Sequence, residues 1–275
     1  MIETSLCVTS YNRPGRLREV LSSFFRTNLY DLSKLELIIV DNGSTSSDVT
    51  DFIKNYSPNC KYRYTLNEKN DYPNCLRYSK IQARELANGK YFIDCPDDHI
   101  FVAKVPWIEE CINRINSEPT VGCINHYAFP RYRFRKKNNM MSIDKDNPNF
   151  SVSTLKGYSD FHIMSKETYK KIGKYEYTLG RSAEGEYMER SLEMGYFRNL
   201  MMNPIAVCMD GGKYGEGKYG FGLIEPIEER DYRSNIMQFF KRSYYNDSRS
   251  GPTPVHNEAL IQYCIENSHI KVKKQ

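Results

Sequence analysis

The chain has no apolar run of about eighteen residues or more, the length a membrane-crossing helix needs, and no charged-then-apolar leader. Neither a membrane span nor a secretory signal is therefore expected. It also lacks any Cys-X-X-Cys pair: its eight cysteines are scattered, and Cys7, Cys123 and Cys208 sit inside apolar runs. Such thiols read as reduced core residues of a cytoplasmic protein, not as disulfides or zinc ligands. A Gly-X-Gly-X-X-Gly turn is missing after the first strand, where SYNRPGR stands instead, which argues against a Rossmann dehydrogenase. Nor is there a large excess of one charge. A net +5 over 275 residues suits an anionic ligand without indicating a nucleic-acid binder.

What is present is a regular alternation. Leu6 to Arg13 reads LCVTSYNR, a β-branched run stopping at polar Thr9, Ser10 and Asn12, with Pro14 and Gly15 before a helix. Leu17, Val20, Leu21, Phe24 and Phe25 give that helix its apolar face. Leu37 to Val40, LIIV, is a buried strand that breaks at Asp41, Asn42, Gly43, Ser44 and Thr45. Val49, Phe52, Ile53 and Tyr56 mark a second helix, and Lys61 to Leu66 alternates like a strand. The first hundred residues thus read β-α-β-α-β-α-β. Right-handed crossovers between parallel strands would bring the ends carrying Thr9, Asp41 and Asp97 to one rim.

The stretch YFIDCPDDHI, Tyr91 to Ile100, ends an apolar strand in Asp97, Asp98 and His99. Paired carboxylates at the carboxyl end of a strand are placed to hold a divalent cation shared with a phosphate-bearing ligand. The alternative is a helix cap beside a water-facing acid.

Four segments, VTSYNRPGRLREVLSSF, LIIVDNGSTS, NGKYFIDCPDDH and AEGEYMERSLEMGY, stand in order from Val8 to Tyr196. In that order and spacing the chain resembles the GT-A glycosyltransferases, specifically the large family-two group of inverting enzymes. One departure is that Pro96 takes the first position of the usual Asp-X-Asp, leaving Asp97 and Asp98. The resemblance implies a nucleoside-diphosphate sugar donor, with UDP the first expectation and GDP or dTDP the alternatives. It also implies Mn2+ or Mg2+ as cofactor and a glycan or lipid-linked acceptor. By the same resemblance Asp98 is the metal ligand and Asp97 accepts hydrogen bonds from the donor's ribose or sugar. His99 is a further ligand or, preferably, a solvated turn residue. Thr9, Tyr11 and Asp41 would take the base, through a hydroxyl, a ring face and an acceptor for the imide N–H. Arg13 would meet diphosphate, and Lys80 falls near the family's arginine on the next helix; both also read as surface charges. The general base is Glu184 when the register is counted back from Arg190, Gly195 and Tyr196, with Glu186 the runner-up. Acids at a helix start are favoured by the helix dipole in any case.

Further on, Pro106 opens a helix with Ile108, Cys111, Ile112 and Ile115 on one face, and Thr120 to Phe129 returns as a strand. Arg131 to Asn149 is basic and aperiodic, which predicts a mobile excursion over the acceptor side, or else a solvated hairpin or loop. Asp160 to Met164 resumes an apolar strand in which His162 is a wall residue. GGKYGEGKYGFG, Gly211 to Gly222, reads as a loop folding over the donor or as a flexible linker. Helices are expected over Glu225 to Arg242 and Asn257 to Asn267, and the basic tail IKVKKQ as a weak membrane contact or a solvated end.

The expected architecture is therefore α/β: a GT-A domain over 1–222 with a mostly parallel central sheet flanked by helices, and a small C-terminal helical extension over 223–275. Residues 1–100 would form the nucleotide-sugar half and 101–222 the acceptor half. The expected activity is metal-assisted, inverting transfer of a sugar to an acceptor hydroxyl by a cytoplasmic enzyme with at most peripheral contact at the inner face of a membrane. The competing readings are a non-catalytic nucleotide-sugar or glycan-binding protein, and a sugar-phosphate nucleotidyltransferase. The latter usually opens with a glycine-rich basic loop after its first strand, which this chain lacks.

Overall fold

A computed structural model describes residues 1–70, 75–101, 104–126, 141–147, 149–153, 161–176, 183–196, 200–202 and 205–208. Strands β1 (Thr4–Ser10), β2 (Leu35–Asp41), β3 (Lys61–Leu66) and β4 (Tyr91–Pro96) pair in parallel in the order β3-β2-β1-β4. Helices α1 (Pro14–Thr27), α2 (Ser47–Asn55) and α3 (Cys75–Leu86) connect them. Beyond β4 the sheet continues through β9 (His162–Ser165), β6 (Cys123–His126), β10 (Leu200–Met202), β8 (Phe150–Ser153) and β7 (Met141–Ile143), giving nine strands. Strands β9 and β8 run against the others. The sheet is thus mostly parallel, as the alternation implied.

Both faces are covered, which is why LIIV is apolar throughout rather than alternating. Leu6, Val8, Leu37, Ile39 and Ile93 turn to one side and pack with Leu17, Leu21 and Phe24 of α1, Val49 and Ile53 of α2, and Trp107 and Ile108 of α4 (Trp107–Ser117). Fully burying each of these aliphatic side chains stabilises the fold by about 1.5–3 kcal/mol relative to exposure. Cys7, Ile38, Val40 and Phe92 turn to the other side, where they meet Ala83 of α3 and Ala87 just past its end. Helix α5 (Lys166–Ile172) adds Ile172 there, and α6 (Ala183–Glu193) adds Tyr187. Among the described residues no helix is long and apolar enough to cross a membrane.

The strand expected over Thr120 to Phe129 is described only as β6, Cys123–His126, its last residues lying outside the described set. The stretch 131–149 is not wholly an excursion: Met141 pairs with Ser153 and Ile143 with Ser151, so its described part forms the edge hairpin β7–β8. The chain also turns back directly after the acidic pair, where β5 (His99–Phe101) pairs antiparallel with β11 (Ala206–Cys208) in a second, two-stranded sheet. The glycine-rich segment 211–222, both C-terminal helices, the basic tail and the division at 222 lie outside the described residues.

Near β5 the core contains a titratable ring. His126 is 2% exposed and stacks on Phe161 with centroids 4.5 Å apart, edge-on to Trp107 at 4.9 Å. Burial, with His162 and His99 adding, pushes its imidazole down to about 3. Between about 6.5 and about 3, unfolded His126 binds a proton that the folded residue refuses. Stability is therefore lost as pH falls through that window, by about 1.4 kcal/mol per pH unit. Asp97, whose carboxyl is pushed up to about 6 from 3.8, contributes the opposite slope over its own window, so the test is a difference between variants. The stability advantage of wild type over His126→Gln should shrink as pH is lowered from about 7 to about 4. A difference that stays constant in urea unfolding contradicts it.

Candidate active site

Register sets the site. Ser10 pairs with Asp41 of β2 and Thr9 with Pro96 of β4, so the carboxyl ends of three adjacent parallel strands finish level. In open α/β sheets that rim is where ligands bind. Thr9, Tyr11, Arg13, Asp41, Asp97 and Asp98 all stand on it or on the turns leaving it.

The turns after β1 and β2 are stapled together. Asn12 adopts φ 51°, a left-handed conformation that asparagine tolerates better than most residues. Its Oδ1 accepts from the backbone N–H groups of Thr45 at 2.8 Å and Ser46 at 3.2 Å, while its own N–H donates to Ser44 Oγ at 2.7 Å. Asn42 N–H donates to the Ser10 carbonyl at 2.9 Å. Asp41 is fully buried and accepts from Ser44 N–H at 2.9 Å and Ser44 Oγ at 2.5 Å, leaving each carboxylate oxygen a further lone pair. Tyr11, by contrast, is 40% exposed, its ring free of the core.

Gly43 explains why the DNGS turn carries a glycine. Its φ is +77°, and a Cβ there would lie 2.3 Å from the Lys69 carbonyl carbon, which is backbone and has no rotamer to yield. Gly43→Ala should cost at least about 2 kcal/mol in urea unfolding. A loss within error of zero contradicts this account.

The acidic turn is divided by its neighbours. Asp97 is 6% exposed, accepts from Ser10 Oγ at 2.8 Å and lies 3.5 Å from Arg13 Nη1. Burial pushes its carboxyl up to about 6, against the lowering pull of Arg13 and the Ser10 hydroxyl and with the Asp98 charge adding. Asp98 is half-buried, with Oδ1 2.6 Å from His99 Nδ1. His99 is not the solvated turn residue preferred from the sequence. It is 3% exposed, packs edge-on against Phe161 at 5.3 Å, and belongs to β5, whose pairing with β11 holds it inward. Lys80 is likewise no surface charge. It is 5% exposed, and its charge helps hold the Asp94 carboxyl down. Arg13 is partly committed to Asp97.

Across the sheet, α6 carries the expected base. Glu184 occupies its first turn, with its side chain outside the described residues. Glu186 is 7% exposed and is engaged by Arg190 through Oε1 and Oε2 and by Glu176 N–H, which donates to Oε2 at 3.3 Å. Arg190 also donates to the carbonyls of Ile172, at 2.6 Å, and Lys174. It thereby ties α6 to the end of α5. Sequence reasoning matched Arg190 to the family pattern but missed its hold on α5, because its partners are main-chain carbonyls.

Among the described residues no group of three or more His, Cys, Asp or Glu could enclose a metal ion. That donor set still fits Mg2+ or Mn2+, which are characteristically held by one or two carboxylates plus substrate phosphates and water rather than by a protein cage.

Solved structures share this architecture. The mannosyltransferase PcManGT from Pyrobaculum calidifontis, solved with GDP-Man and Mn2+, superposes with a TM-score of 0.57 at 17% identity, covering 96% of this chain and 72% of that one. S. aureus TarS 1-349, solved with UDP-GlcNAc, gives a TM-score of 0.55 at 13% identity, with 97% and 72% covered. These likenesses concern the GT-A fold. A search of curated protein sequences finds no match. The model of one family, glycosyl transferase family 2, matches residues 5–173, a span that runs from β1 past α5 and includes the whole rim. On that match, over more than half its length, the chain is a glycosyltransferase and belongs to glycosyl transferase family 2.

Proposed function

We propose that this enzyme transfers a sugar, with inversion, from a nucleoside-diphosphate sugar to a hydroxyl of a glycan or lipid-linked acceptor, assisted by Mn2+ or Mg2+. The observation that carries the reading is the level rim, where one row of strand ends presents a hydroxyl, an exposed ring, a buried carboxylate and the Asp97–Asp98 pair. The two related structures contain GDP-Man with Mn2+ and UDP-GlcNAc, which supports a nucleotide-sugar donor here.

In this reading Tyr11 offers a ring face to the base, Thr9 a hydroxyl, and Asp41 an acceptor for a base N–H. Asp97 orients the donor's ribose or sugar, with Arg13 and Ser10 fixing its carboxyl and Arg13 adding positive charge near the diphosphate. Asp98 would hold the ion, with His99 locking the rotamer of its carboxylate. Bound there, a divalent ion stabilises the negative charge that develops on the leaving diphosphate. Glu184 removes the proton from the acceptor hydroxyl as that oxygen attacks the anomeric carbon from the face opposite the leaving group.

Incubation of the purified chain with a panel of UDP-, GDP- and dTDP-sugars and Mn2+ tests the proposal. Release of nucleoside diphosphate, even by slow hydrolysis, is the expected result. Binding without release would make the chain a sugar-nucleotide binder; cleavage to nucleoside monophosphate would overturn the transfer reading. The base site has its own check: Asp41→Ala should weaken binding of the released nucleotide by about 1–3 kcal/mol. Ser44→Ala, which unties the turn but keeps the carboxylate, should not reproduce that loss. Equal losses in the two variants would reduce Asp41 to a turn residue.

A further inference from the structure

Beneath the rim, on the face covered by α3 and α6, lies a buried charged cluster to which the transfer reading gives no role. Arg84 of α3 and Asp94 of β4 are each 1% exposed. Arg84 Nε donates to Asp94 Oδ1 at 3.2 Å and Nη2 to Asp94 Oδ2 at 2.6 Å, a two-pronged pair. The same Nη2 also donates to Tyr175 Oη at 2.8 Å and lies 3.0 Å from His162 Nε2. Four rings surround the guanidinium, those of Tyr175, Phe92, Tyr169 and Tyr187, with centroids 4.5, 4.9, 5.0 and 5.5 Å from its central carbon.

A buried ion pair is a poor way to gain stability, because desolvating both charges offsets most of their attraction and an apolar replacement often does as well. What such a pair gives is a fixed arrangement, and the elements fixed here are informative. Asp94 lies on β4, the strand that leads into Asp97 and Asp98, one side-chain row below Pro96. Tyr187 lies on α6, about one turn after Glu184. Its ring is fully buried and sits 4.5 Å from that of Tyr175. A planar fork clasped by a carboxylate at its edge and enclosed by four rings resists both sliding and rotation, which a lysine ammonium at the same place would not.

We propose that Arg84 is a positioning residue for glycosyl transfer: it sets α6, and with it the general base, at a fixed distance from the strand carrying the acidic turn. The inference rests on the transfer reading above. It requires that loosening the cluster damages chemistry more than donor binding, since a misplacement of about 1 Å can cost about 10²-fold in rate.

The test uses the full chain with Arg84→Lys, which keeps the charge, and Tyr175→Phe, which keeps the ring but removes an acceptor. Donor turnover is measured at a temperature where each variant is folded by circular dichroism, alongside calorimetric binding of UDP and of GDP with Mn2+. Arg84→Lys should lower kcat by at least about tenfold while the nucleotide Kd stays within about twofold, and Tyr175→Phe should move kcat in the same direction by less. Wild-type kcat in folded Arg84→Lys overturns the inference, as does a parallel loss of kcat and nucleotide affinity, which a general loosening would give. Should Arg84→Lys fail to fold, unchanged kcat in Tyr175→Phe overturns it. A wild type that releases no nucleoside diphosphate defeats the transfer reading and this inference together; an active wild type with equally active variants defeats the inference alone.

Discussion

In Asp98→Asn, binding of UDP or GDP measured by calorimetry loses its dependence on Mn2+. With no enclosing group of acids or histidines among the described residues, an ion at the rim depends on the few carboxylates there and on the donor's own phosphates. Asp98 is half-buried, and its Oδ1 is already oriented by His99 Nδ1 at 2.6 Å. An asparagine oxygen can keep that hydrogen bond, so the turn should hold its shape while the negative charge facing a hard dication is lost. The expected drop in nucleotide affinity with Mn2+ present is at least about 10²-fold. Chelator should bring wild type down to the level of the variant, and the variant's melting temperature should stay near that of wild type. Equal binding by both proteins, with and without chelator, would show that Asp98 holds no ion and that the nucleotide is held by the protein alone.

The rim was legible because it depends on strong, local signals. LIIV and the helix faces of Leu17, Val20, Leu21 and Phe24 specify buried elements, and their alternation specifies parallel pairing, which levels the strand ends. What escaped depends on partners far apart in the chain. Strand β5 is three residues long, too short to show a period, and it exists because Cys208 and its neighbours return to pair with it. Without that pairing His99 reads as a turn residue. Arg84 and Lys80 share helix α3 with buried Ala83, and a basic residue on such a helix reads as solvent-facing. Only folding brings Phe92, Tyr169, Tyr175 and Tyr187 around the guanidinium. Glu184 and Glu186, two residues apart, were separable in sequence only by counting to a distant Arg-Gly-Tyr pattern. The contacts of Glu186 add a physical distinction that counting lacks.

That distinction makes Glu184→Gln and Glu186→Gln a paired test of the mechanism. Glu186 is committed to Arg190 and Glu176 N–H, and through Arg190 to the carbonyls of Ile172 and Lys174. A carboxylate pinned this way is a weak candidate for removing a proton from an acceptor, and a strong one for holding α6 to α5. Glu186→Gln should therefore lower stability by about 1.5–3 kcal/mol, the range for a hydrogen bond to a charged group, and where the variant is folded, with the Arg84 cluster still packed on Tyr187 of α6, its kcat should fall by less than about tenfold. Glu184→Gln keeps the shape of the side chain and the start of the helix while removing proton acceptance. Its kcat should fall by about 10²–10⁴-fold, with nucleotide affinity and melting temperature near those of wild type. If the kcat loss follows Glu186 instead, the base is two residues further along and Arg190 tunes it rather than anchoring a helix. If neither variant slows transfer, neither Glu184 nor Glu186 is the base; if NMR of the first-formed product shows the donor's anomeric configuration retained, inversion is not the mechanism.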